Sequence, residues 1–250
     1  MLNCRLRLVW SRVLSTDRAP ASTDPLTGHT AGPTGMQPLS PPRNKTPRRT
    51  AERILDVALD LFNRHGEPNT STTMIAAELH ISPGNLYYHY PAKDTLINAL
   101  VDRFDAAMTL ALAEGAAVSG GTEAIGFVRT LFGQIWQYRF LYRDLNNLLT
   151  RNRQLEQRYA DLLDRQHRAL AALLLQLQRS GVHRPSAAAQ RDELATTLLL
   201  ILTYWLSYEY VRQPRSALEP DNQDSAITRG VAQVAALLQP QLSVDQASIT

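Results

Sequence analysis

The sequence predicts an all-α fold, a small N-terminal three-helix unit followed by a larger helical domain, on three observations. Apolar residues from Thr50 onward recur at helical spacing, beginning with Ile54, Ala58, Leu61 and Phe62 at i, i+4, i+7 and i+8. Helix starts and stops then alternate in order. Ser71 and Ser82-Pro83 are starts, and Gly66, Pro91, Ser180-Gly181 and Pro214 are stops. No stretch sustains the alternation and β-branched enrichment of a strand, and there is no internal repeat.

The first helix is expected from Thr50 to His65, where Gly66 ends it. Ser71 caps a short second helix to Leu79 that buries Ile75, Ala76 and Leu79. Ser82 caps a third, with Pro83 at its first position, which ends at Pro91. Lys93 or Asp94 opens a long fourth helix with Leu96, Leu100, Phe104 and Met108 along one face. Beyond Gly120-Gly121, one helix or a kinked pair is expected over 122–150, then helices over 154–179, 187–211 and 224–238. The domain boundaries that follow are a leader over 1–46, a reading unit over 47–92, a helical domain over 93–242 and a disordered tail over 243–250.

Composition bounds the function classes. The 250 residues are 44% hydrophobic and 20% charged, the balance of a globular protein. The net charge is only +3, but Arg43, Lys45, Arg48, Arg49 and Arg53 crowd the entry to the first helix against a single acid, Glu52. The lone Cys4 excludes an intrachain disulfide and a structural zinc site, and fits a reducing cytoplasm. No apolar run reaches the ~18–20 residues of a membrane span. Residues 15–47 are rich in Pro, Thr, Ser and Gly and read as disordered, either a leader or sequence upstream of a start at Met36. The six histidines show no metal spacing with carboxylates. There is no Gly-x-Ser-x-Gly, phosphate-binding loop or dinucleotide fingerprint. No catalytic residue, metal or cofactor is expected, and the chain does not read as an enzyme.

The chemistry concentrates in the third helix. Its ~12 Å length suits the ~12 Å major groove of B-DNA. Leu86 is its one aliphatic anchor. Gly84 permits close backbone approach, Asn85 can pair with an adenine edge, and Tyr87 and Tyr88 can pack on a thymine methyl or sugar while their hydroxyls reach phosphate. Tyr90 is expected to pack against the first helix rather than face outward.

The run Ile54-Leu55, Ala58, Leu61-Phe62, Gly66, Ile75-Ala76, Ile81-Ser82-Pro83-Gly84-Asn85-Leu86-Tyr87-Tyr88-His89-Tyr90, Lys93-Asp94 and Leu96 resembles the tetracycline-repressor (TetR/AcrR) family of bacterial regulators over about 49–104. The resemblance implies a homodimer on a pseudo-palindromic double-stranded operator, released by a small apolar or aromatic effector. It also implies the contacts: Thr72 and Thr73 on the second helix; Gly84, Asn85, Tyr87, Tyr88 and His89 on the third; Lys93 on the phosphate backbone; and Arg48 and Arg49 as a basic arm. His80 departs from the family's usual glycine, so a positive φ is expected there.

In the C-terminal half, Trp136, Phe140, Tyr204 and Tyr208 are candidates to line an apolar pocket, although core packing suits each one alone. The helix over 187–211 is apolar nearly all round. With Val231, Val234, Leu237 and Leu238 it suggests an antiparallel four-helix dimer seam. Three alternatives remain: a ligand-binding or scaffold protein without operator binding, an enzyme, and an activator rather than a repressor.

Overall fold

The computed structural model describes residues Thr46–Leu238, with side chains from Arg48 onward. The leader ahead of Thr46, with Arg43 and Lys45, and the tail over 243–250 lie outside the described residues. Ten α-helices and two short 3-10 turns make up the described chain, and it contains no strand.

Helix α1 (Thr46–His65) starts four residues ahead of the expected Thr50. It buries Ile54, Leu55, Ala58, Leu61 and Phe62, and Gly66 ends it in the left-handed region at φ 82°. Helix α2 (Thr72–Glu78) is capped by Ser71, whose Oγ accepts the Met74 N–H at 3.1 Å. Helix α3 (Pro83–His89) is capped the same way by Ser82, which accepts the Asn85 N–H at 3.2 Å. Each such cap is worth about 1 kcal/mol. Between α2 and α3, His80 takes φ 55°, the only described non-glycine residue in that region.

Helix α4 (Lys93–Glu114) joins this head to the rest, burying Leu96, Leu100, Phe104 and Met108 along one face. Its Arg103 pairs with Glu52 and Asp56 of α1. The segment expected as one helix or a kinked pair is three pieces: α5 (Gly121–Gln137), α6 (Arg139–Arg143) and α7 (Leu145–Arg151). The chain breaks at Tyr138 (φ −111°, ψ 36°) and Asp144 (φ −121°, ψ 25°), neither helical nor marked by Gly or Pro. Helix α8 (Arg153–Arg179) is capped by Asn152, whose Oδ1 accepts the Leu155 N–H at 3.0 Å.

Helix α9 (Ala188–Arg212) lies against α8, α5, α6 and helix α10 (Gln223–Leu238). By length and composition α9 could cross a bilayer, against the expectation that no such run exists. Its setting is that of a helix packed in a bundle: Trp205 Nε1 donates to the Ala226 carbonyl at 2.9 Å, and buried Glu209 pairs with Arg229 of α10. Gly230 makes the close approach possible, since a Cβ there would sit 2.9 Å from Phe132 and Trp205.

Of the residues that suggested the seam, Val231, Val234 and Leu238 are buried within the single chain and Leu237 is half-buried; on the 187–211 helix Leu198, Leu202, Trp205 and Leu206 are buried while Leu199 and Ile201 are half-buried. The exposed apolar stripe of α9 is instead Leu200, Tyr204, Tyr208 and Val211, at i, i+4, i+8 and i+11. An all-round apolar helix carries no signal for which side meets its own chain.

Candidate nucleic-acid interface

Helix α3 buries one side chain in the head. Leu86 is fully buried, while Gly84, Asn85, Tyr87 and Tyr88 are exposed, Tyr88 to 79%, and His89 is half-buried. Tyr90 is half-buried and its hydroxyl donates to the Ala51 carbonyl of α1 at 3.4 Å, as expected of a packing residue. Gly84 has no internal reason to be glycine. Its φ is not positive, and an added Cβ would meet only Ser82 Oγ at 3.9 Å. Glycine inside a helix costs about 1 kcal/mol relative to alanine. Open space on that side suits something outside the chain that approaches closely.

Helices α2 and α3 meet at this face through Thr72 and Tyr87, whose hydroxyls lie 3.0 Å apart. Thr73 is exposed beside Thr72. A crevice of about 510 Å³ runs between them, lined by Asn69, Ser71, Thr72, Tyr87 and Lys93. Arg48 and Arg49 are exposed on the first turns of α1. The exposed face therefore combines short hydroxyls, an amide, two phenols and an imidazole with one cation, Lys93, at its edge. Those groups suit phosphate oxygens and base edges.

Lys93 is not free at this edge. Its ammonium donates to Glu67 Oε1 at 2.9 Å and to the Glu67 carbonyl at 2.5 Å, and lies 5.7 Å from the Phe62 ring centroid. Glu67 is 1% exposed, and its other oxygen, Oε2, accepts from Arg151 of α7 at 2.6 Å. Sequence reasoning named neither Glu67 nor Arg151. A glutamate after a helix-ending glycine carries no signal of burial, and its partner is 84 residues away.

The same joint holds Asn63. Its Nδ2 donates to the Gln137 carbonyl at 2.9 Å, and its Oδ1 accepts the Phe140 N–H at 3.1 Å. This clamps the end of α1 onto the α5–α6 break.

The four aromatic candidates for a pocket separate into two pairs. Phe140 is fully buried against Phe62, with centroids 5.2 Å apart, so it packs the joint between head and bundle. Trp136 is buried under the Arg139 guanidinium at 5.2 Å. Tyr204 and Tyr208 are half-exposed and line an open groove of about 540 Å³ along α9 and α10.

A different aromatic group occupies the centre. Phe104 of α4 lies 5.2 Å from Tyr138 and 6.0 Å from Tyr142, and Tyr142 lies 6.3 Å from Tyr159 of α8. The Tyr142 and Tyr159 hydroxyls are buried near each other, with Gln166 beside Tyr142, but in no well-formed hydrogen bond, and burial pushes both phenols well above the ordinary tyrosine range. Orphaned buried hydroxyls are costly and uncommon. Nothing in their sequence context distinguishes them from other bundle tyrosines.

The chain matches two family profiles. One, described as bacterial regulatory proteins of the tetR family, covers residues 54–100. The other, described as a bacterial transcriptional repressor, covers residues 103–248. A helix-turn-helix-type regulator from the region 5′ of dhlA in Xanthobacter autotrophicus is 26% identical over 168 residues, spanning 63% of this chain and 76% of that protein. UidR of Escherichia coli K12 is 38% identical over 52 residues, 21% of this chain and 26% of its own. A solved TetR-family regulator from Marinobacter aquaeolei VT8 superposes with TM-score 0.70 at 29% identity, covering 78% of this chain and 92% of its own. Salmonella enterica GusR shares the fold at TM-score 0.53 and 22% identity, over 78% and 98% of the two chains.

Proposed function

We infer the function of this chain from its family, for it belongs to the TetR family of bacterial transcriptional regulators, which carry a DNA-binding helix-turn-helix on a helical domain. It is a DNA-binding regulator and not an enzyme. Our proposal is that it represses by seating α3 in the major groove of a pseudo-palindromic operator, as a cytoplasmic homodimer, and that a small apolar or aromatic effector releases it. The observation that carries the reading is α3 itself: a helix whose one buried side chain is Leu86, with Gly84 open and Asn85, Tyr87 and Tyr88 exposed. In this reading Thr72, Thr73 and Tyr87 touch the backbone and thymine methyls, Asn85 and Tyr88 meet base edges, and Lys93, Arg48 and Arg49 neutralise phosphates.

Dimerisation supplies the two-fold symmetry that a palindrome needs, with half-sites about 34–36 Å apart. The stripe Leu200, Tyr204, Tyr208 and Val211 supports α9 as the seam, because a contiguous exposed apolar face marks an association surface. Effector response is supported by the cluster Phe104, Tyr142 and Tyr159. A ligand that satisfied the two orphan hydroxyls would press on Phe104, and so on the helix that carries the head. The shifted heads would no longer fit successive major-groove faces.

The test is retardation of DNA fragments from upstream of its own coding sequence. Specific retardation by a folded dimer is expected, competed by the same fragment and not by unrelated DNA. A folded dimer that retards none of them specifically would sink the operator reading.

A further inference from the structure

We propose that Glu67 and Arg151 are positioning residues for Lys93, with Arg151 acting as the substitute counter-ion that lets Lys93 leave Glu67 for a DNA phosphate. The inference deepens the operator reading above and rests on it for the phosphate.

Glu67 is a carboxylate 1% exposed, at the point where the head meets α4 and α7. A buried carboxylate that loses its only cation is strongly destabilising. Glu67 therefore has to keep at least one positive partner in every state of the folded protein. Here it has two, on different oxygens: Lys93 on Oε1 at 2.9 Å and Arg151 on Oε2 at 2.6 Å. Because the oxygens differ, the Arg151 contact survives when Lys93 departs. Lys93 is the cation at the edge of the reading crevice, beside Thr72 and Tyr87. It is 27% exposed, so its flexible stem can carry the ammonium from Glu67 to a phosphate.

The two bonds therefore work as a hand-off. With Arg151 on Glu67, Lys93 is released without stranding a buried charge. With Arg151 withdrawn, Lys93 is the one cation still bonded to Glu67 and is held inward. Arg151 ends α7, which belongs to the regulatory bundle rather than to the head. A shift of α7 in the bundle would thereby cost the head one phosphate contact, with no change in α3.

The experiment is a salt titration of operator affinity for wild type, Arg151→Ala, Glu67→Gln, Lys93→Ala and the Glu67→Gln/Arg151→Ala double, with fold and dimer checked by circular dichroism and sedimentation. Each phosphate contact contributes about 0.9 to the slope of log K against log salt, which is about eightfold in affinity at 0.1 M. Arg151→Ala should lose that amount, the same loss as Lys93→Ala alone. In the Glu67→Gln background, where position 67 no longer needs a counter-ion, Arg151→Ala should have no effect on the slope. Arg151→Lys should restore the wild-type slope.

Three results overturn the proposal. The first is an Arg151→Ala slope equal to wild type. The second is an equal loss in the Glu67→Gln background, which would mean that Arg151 touches phosphate itself. The third is a Lys93→Ala slope equal to wild type, which would also remove Lys93 from the operator reading while leaving α3 in place. In the free protein, 15N relaxation of the Lys93 ammonium should show it more ordered in Arg151→Ala and less ordered in Glu67→Gln. Unchanged order in both variants would also reject the hand-off.

Discussion

Helices α3 and α9 both turn tyrosines to solvent, and they do so for opposite reasons. In α3, seven residues bury one side chain, and the exposed Tyr87 and Tyr88 sit among Gly84, Asn85 and His89. That mixture can hydrogen-bond to a polar partner along its whole length. In α9, 25 residues bury a full face, and the exposed Tyr204 and Tyr208 sit between Leu200 and Val211. That stripe suits another apolar helix. An exposed aromatic residue thus says little until its neighbours on the same helical face are known.

The largest effect that can break this contrast concerns aromatics that do not reach the surface. Phe140→Ala should destabilise the protein by about 3–5 kcal/mol, the range for truncating a fully buried phenylalanine. Phe140 packs on Phe62 of α1, so the loss loosens the joint between head and bundle. Chemical denaturation should show it in full. A cost below about 1 kcal/mol would mean that Phe140 is replaceable by solvent or ligand, as a pocket residue would be.

The next effect concerns the stripe on α9. Tyr204→Glu places a charge in the proposed seam, where an unpaired buried charge costs about 3–5 kcal/mol. Sedimentation equilibrium should find monomer where wild type is dimer, with helical content unchanged. A variant that remains a wild-type dimer would put the seam elsewhere.

Smaller again are the effects on α3. Asn85→Ala and Tyr88→Ala should each lower specific DNA affinity by about 1–3 kcal/mol, the range for one base contact. Because both side chains are exposed, stability should stay within about 0.5 kcal/mol. Loss of stability without loss of specificity would turn the contrast around, making α3 a packing helix and its polar face incidental.

The same contrast decides how much was legible in sequence. In the head, caps, stops and anchors are local, so Ser71, Ser82, Leu86 and the outward residues of α3 could be named from spacing. In the bundle, helix positions were legible but facing was not. Val231 and Val234 were as good seam candidates as Leu200 by type, yet they point into their own chain. The breaks at Tyr138 and Asp144 carry no Gly or Pro, because tertiary contacts impose them. The Asn63 clamp on Gln137 and Phe140 is one such contact, formed between groups 74 and 77 residues apart. Glu67 was missed for the same reason, since burial and two distant cations define it and one sequence displays neither.

The smallest effect tests the one strained residue in the head. His80 stands at φ 55° with its side chain exposed, between two helices whose spacing depends on that turn. A non-glycine residue there costs roughly 1–2 kcal/mol. Glycine removes that cost but adds about 0.5–1 kcal/mol of unfolded-chain entropy. His80→Gly should therefore gain roughly 0.5–1 kcal/mol net, raising Tm by about 1–4 °C for a domain of this size. His80→Ala keeps the backbone strain and should gain nothing. If glycine lowers Tm, the histidine ring is supplying a favourable contact that outweighs the turn. If alanine and glycine behave alike, the left-handed turn is not where the cost lies. Either result would remove the turn from the features that set α3 against α2. The expected result assigns the cost of the turn to a single backbone torsion.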